Sequence, residues 1–180
     1  MRGILVLLIL ILYKQDLTLS VTFIVNHFED VDDADYNCNG SPQEGDRCCL
    51  RDAIKSMLSL TSGSDIVMEL LPGVHRPLFG IDMTTSYNCE IRSQDSNQFA
   101  VVDLQFRSHD FIDLAIGNWI LDNLYLTNHS HRSLIAADGG HLTIRNCKFS
   151  KSSGRRFLYL LSQQHSIINT TFMDKESSSH

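Results

Sequence analysis

The sequence predicts an all-β fold: a parallel β-helix of about five turns, closed at its N-terminal end by a short capping α-helix. Three observations point there. The second half repeats with a 23-residue period, each period alternates as strands do, and one amphipathic run precedes the periodic region. A fixed period of 20–50 residues marks a solenoid.

The first element lies outside that fold. Residues 1–20, MRGILVLLILILYKQDLTLS, have a basic start at Arg2, an apolar run from Ile4 to Tyr13, and Thr18 and Ser20 at the −3 and −1 positions of a cleavage site. This is the layout of a secretory signal peptide, and the run falls short of the about 20 apolar residues of a membrane span. Cleavage after Ser20 leaves residues 21–180 as a single secreted or cell-surface domain, with the membrane engaged only before cleavage. Losing Arg2, Lys14 and Asp16 takes the formal charge from −6 to −7. So acidic a chain has no electrostatic reason to seek nucleic acid.

Residues 21–60 divide into a strand, an acidic loop and a helix. VTFIV is apolar and β-branched, as strands are. Behind it, Glu29, Asp30, Asp32, Asp33 and Asp35 crowd hard oxygen ligands into seven residues. Asp30, Asp32, Asp33 and Asp35 are therefore the candidate calcium ligands, although their spacing departs from the EF-hand loop; no other cofactor is expected. In CCLRDAIKSMLSL, Leu50, Ala53, Ile54, Met57 and Leu58 fall on one helical face, with Arg51, Asp52 and Lys55 on the other. The first turn of a β-helix exposes a cross-section of core and a row of unpaired backbone groups, so it needs a cap. A helix over about 49–60, docking through Leu50, Ala53 and Ile54 beside Arg51, can lie across that open end.

Residues 61–180 hold the turns, most clearly over 110–174. Five columns keep the 23-residue spacing: Asn123, Asn146 and Asn169; Leu121, Ile144 and Ile167; Leu126, Phe149 and Phe172; Ile112, Ile135 and Leu158; Leu114, Ala137 and Leu160. Segments such as WILDNLYLTN and HLTIRNCKFS are too short for helix pairs and too rich in β-branched and aromatic residues for helices. The Asn column fits a tight left-handed bend, and stacked amides can bond to the copies above and below as an Asn ladder. Leu121, Leu124, Leu126, Ile144, Cys147, Phe149, Ile167, Thr170 and Phe172 are expected to face inward.

Five cysteines, Cys38, Cys48, Cys49, Cys89 and Cys147, enter an oxidising compartment, and the odd number leaves at least one free or paired outside the chain. None of them forms the C-x-x-C spacing of a zinc or thioredoxin-type site. Asn39, Asn128 and Asn169 stand in Asn-x-Ser/Thr sequons and are candidate glycosylation sites.

VTFIVN, the aspartate-rich segment with its first Cys, CCLRDAI, SGSDIVMELLPGVHRP, LDNLYLTN and LTIRNCKFS together resemble the CSLREAI domain family across nearly the whole mature chain. Cys48 matches the first Cys of that motif and Cys49 its Ser/Thr; Asp52 stands where Glu or Ala is usual. The resemblance implies a secreted or cell-surface, right-handed parallel β-helix of the pectin-lyase-like class. It also implies a structural disulfide joining Cys38 to Cys48, with Cys38 to Cys49 left open by the doubled cysteine.

An enzyme of this fold needs carboxyl groups facing each other across a sugar, or an Asp-held calcium beside a basic residue. Asp122 and Arg145 share an outward column and read as a surface ion pair, and no column offers paired carboxylates. The expectation is a non-enzymatic protein for adhesion or binding of an extracellular glycan or protein, with no catalytic residue assigned. The alternative is a small polysaccharide lyase or hydrolase, or a truncated remnant of one. The C-terminal end shows no evident cap after Phe172, which predicts self-association.

Overall fold

The structure is a computed structural model describing residues 20–30, 38, 47–60, 63–78, 80–83, 86–105, 110–151, 153, 156–161 and 164–173. The predicted signal peptide, apart from Ser20, lies outside these residues, as do Asp32, Asp33, Asp35 and Asn39. Among the described residues, no helix is long and apolar enough to cross a membrane.

Among the described residues, the chain opens with β1 (Ser20–Val25) and one helix, α1 (Leu50–Leu58), and then winds. The first coil is β2 (Asp65–Leu70), β3 (Gly73–His75) and β4 (Ile81–Met83). The second is β5 (Asn88–Ser93), β6 (Ala100–Asp103) and β7 (Ile112–Leu114). The third is β8 (Asn118–Asp122), β9 (Leu124–Thr127) and β10 (Ser133–Ala137). The fourth is β11 (His141–Arg145), β12 (Lys148–Phe149) and β13 (Arg156–Leu160), after which β14 (Ser166–Ile168) and β15 (Thr171–Phe172) begin a fifth. Equivalent strands stack into three parallel sheets, in the orders β1-β2-β5-β8-β11-β14, β3-β6-β9-β12-β15 and β4-β7-β10-β13. The fold is thus a parallel β-helix of four complete coils, one fewer than expected, because the fifth has no described third strand.

Alternation dictates which side chains fill it. Phe23, Met68, Ile91, Leu121, Ile144 and Ile167 are successive cross-strand partners up the six-stranded sheet. Val102, Leu126, Phe149 and Phe172 continue one another on the second sheet, and Ile81, Ile112, Ile135 and Leu158 on the third. These columns meet on the axis as one apolar core. Cys147 is buried there, as its inward position requires. The last coil departs from expectation. Ile167 is 47 % exposed and Phe172 44 %, because no described coil covers them.

The corners decide where the chain can bend. Asn123, Asn146 and Asn169 all adopt left-handed backbone, with φ of 55°, 52° and 46°. At another corner a β-carbon on Gly140 (φ +68°) would lie 2.4 Å from the carbonyl oxygen of Gly117, the glycine one coil below. That contact tolerates no side chain.

At the head, α1 lays Leu50, Ala53 and Met57 into the core. Its face differs from the expected one in two places. Leu58 is 49 % exposed, and Asp52 turns inward to accept a hydrogen bond from the Cys49 thiol at 2.8 Å.

Candidate binding face

The outer surface of the six-stranded sheet carries the densest set of charges. Glu69, Arg92, Asp122 and Arg145 are successive cross-strand partners, alternating in sign, and Glu90 stands one column away on the same face. Arg92 pairs with Glu69 and lies 3.7 Å from Glu90. Arg145 bridges Glu90 and Asp122, each at 3.0 Å. The expected Asp122–Arg145 pair is therefore part of a network of three acids and two bases. The Glu69 hydrogen bond raises the Arg92 guanidinium pKa further above its ordinary value. Each of the three carboxylates is held by a guanidinium instead of facing another carboxylate across a gap.

One corner of this face is enlarged. Where the third and fourth coils turn on a single asparagine, the second coil inserts residues 94–99. An Asx turn closes part of the insert, with the Asn97 amide donating to Asp95 Oδ1 at 2.8 Å. The insert leans on the corner above it: Asn123 Nδ2 donates to the carbonyls of Asp95 and Gln98, both at 2.9 Å. That explains why the amide ladder is shorter than expected. Asn169 donates to Asn146 at 2.8 Å, but Asn146 donates to Asp122 at 2.9 Å, and Asn123 serves the insert. A second polar ladder runs along the near edge of the same sheet. Asn118 donates to Asn88 and Asn88 to Asp65, both at 2.8 Å. The 23-residue step from Asp65 to Asn88 was a usable signal, but the longer second coil hides the step to Asn118.

Between the insert and the charged columns lies a pocket of about 270 Å³, lined in part by Glu69, Arg92, Gln94, Ser96, Asp122 and Asn146. Its walls offer carboxylates, amides, hydroxyls and a guanidinium, so it can both donate and accept hydrogen bonds. Its volume is close to the lower end, about 300 Å³, of small-molecule sites. Trp119 is buried in the core and presents no ring to a ligand. Tyr125 is half-buried and shares a 2.6 Å hydrogen bond with Ser150.

The remaining predicted residues lie elsewhere. Cys38 and Cys48 form a disulfide, and the Cys48 amide donates to Asn26 Oδ1 at 2.8 Å, tying the loop to the end of β1. Cys49, Cys89 and Cys147 are free and buried. The Cys49 thiol donates to Asp52 and, at 3.0 Å, to Asp30. Burial, then these two acceptors, push its pKa up to about 12. Asp30 also accepts the Leu78 amide at 2.9 Å and lies 3.4 Å from Arg51. The one described member of the predicted calcium set thus faces inward. Among the described residues, no three His, Cys, Asp or Glu gather as a metal site. Of the sequons, Asn169 is exposed, whereas Asn128 is half-buried and donates to Asp103 at 2.7 Å.

Comparison with family models, with curated proteins and with solved structures finds no match to the chain.

Proposed function

We propose that the protein is a non-enzymatic β-helix of the CSLREAI kind, secreted or held at the cell surface, that binds an extracellular glycan through the corner pocket. The observation that carries this reading is the insert at residues 94–99 beside a charged, hydrogen-bonding wall. Binding residues are commonly borne by loops on a rigid scaffold, and here the scaffold is a repeat that breaks its own period to build a corner. A pocket of about 270 Å³ takes one sugar-sized unit of a polymer. The network of Arg92 and Arg145 favours attraction and orientation over proton transfer, since its carboxylates already accept from guanidinium groups. The Cys38–Cys48 disulfide supports an oxidising compartment.

A glycan array run beside an activity assay on pectin and related polymers tests the proposal. The expected result is retention on an acidic or neutral glycan with no turnover, lost at least tenfold in Arg92→Gln. Turnover would shift the assignment to a small polysaccharide lyase or hydrolase. A folded protein that binds no glycan would overturn the glycan reading.

A further inference from the structure

The two ends of the coil are finished differently. At the head, α1 fills the axis with Leu50, Ala53 and Met57, and the Cys38–Cys48 disulfide holds its approach. The β3 side is covered too: Phe28 lies over Gly73, the Arg76 amide donates to the Phe28 carbonyl at 2.7 Å, and Glu29 bridges to Arg76. At the tail, Ile167 and Phe172 repeat the buried positions Ile144 and Phe149, yet they stand 47 % and 44 % exposed. Leu161 and Met173 beside them are 58 % and 38 % exposed, and Ile168, which continues the outward column above Arg145 at the rim, is 52 % exposed. Among the described residues, β13, β14 and β15 are the terminal strands of the three sheets, so three strand edges frame this apolar patch.

We propose that the tail is an interface for a second copy of the chain, forming a closed two-fold dimer, tail to tail. Residues 174–180, DKESSSH, carry no apolar side chain. A docked helix would cover the apolar patch but leave three edges without partners, each an invitation to pair with another strand. Another β-helix end supplies both. The exposed apolar side chains amount to on the order of 400 Å² per copy, about half of what a standard interface buries on each side, with the strand edges supplying the rest. A two-fold axis through β14 sets that strand antiparallel to its own copy and places β13 against the partner's β15 side. Head-to-tail stacking would require the partner to displace α1. Association therefore stops at two copies instead of growing into a fibre. This inference is independent of the corner pocket, which lies on the flank.

Sedimentation velocity over a hundredfold concentration range tests it. The expected result is twice the mass of one chain, with no larger species. Phe172→Glu is expected to give a monomer with an unchanged β-type circular dichroism spectrum. If that variant fails to fold, Ile168→Lys, at the rim of the patch, is expected to weaken the dimer at least tenfold. A wild-type chain that stays monomeric throughout overturns the proposal. So does an open series of masses, or a dimer that ignores a folded variant.

Discussion

Asn146 shows how much one backbone angle decides. Its φ of 52° is left-handed, a region most side chains enter only at a cost of about 1–2 kcal/mol. Glycine enters it freely, so Asn146→Gly is expected to lose only its two side-chain hydrogen bonds, the one it donates to Asp122 and the one it accepts from Asn169, about 1–2 kcal/mol together. Asn146→Ala loses the same two bonds and adds strain, about 2–4 kcal/mol together. Urea titration of the two variants would separate them, and equal losses would show that the angle carries no cost. His75 reports on pH in a similar way. It heads the inward column that continues through Val102 and Leu126, and burial holds its pKa below the ordinary 6.5, against the opposing pull of the Leu71 carbonyl. As pH falls below 6.5 the unfolded chain takes up this proton first. Stability therefore falls through the window between 6.5 and the lower folded value, then levels off. His75→Leu is expected to flatten the change in urea midpoint between pH 7 and pH 5. An unchanged slope would place the titration elsewhere.

Among the elements, the head depends on a covalent tie. The Cys38–Cys48 bond closes a loop with a sequence separation of 10, and such a loop restricts the unfolded chain by roughly 2–3 kcal/mol. Reduction is expected to lower the melting temperature by roughly 5–10 °C, given about 2–4 °C per kcal/mol at this size. Calorimetry with and without reductant checks it, and a shift below 2 °C would mean that the native packing alone holds the loop. How legible each element is in the sequence follows from its corners. The third and fourth coils turn on single asparagines and keep the period, so their strands and core columns can be read from spacing. The second coil carries the six residues 94–99 at the same corner, which throws β5 out of phase with β8, so that Ile91 and Leu121 stand 30 residues apart, while Ile112 and Leu114 beyond the insert keep the period. The binding pocket was therefore the least legible part, because the insertion that builds it also erases the period. Helical spacing assigned α1 its axis but not its docking angle. Leu58 consequently falls beyond the contact, and Asp52 is drawn inward by a thiol that no periodicity reveals.

For the whole molecule, the organising quantity is the exact repeat of 23 residues between Leu121 and Ile144 and again between Ile144 and Ile167. Each coil touches mainly the coil above and the coil below, so stability approximates a sum over neighbours. Such a shaft can be shortened like a stack of identical washers, provided that a whole washer is removed. Excising residues 124–146 joins Asn123 directly to Cys147 and carries both ends of the cut onto equivalent corners. The trimmed chain is expected to fold cooperatively at reduced stability, and its open end is expected to dimerise as before. Removing 20 residues from the same place is expected to abolish folding. The permitted lengths of this protein thus come in discrete steps.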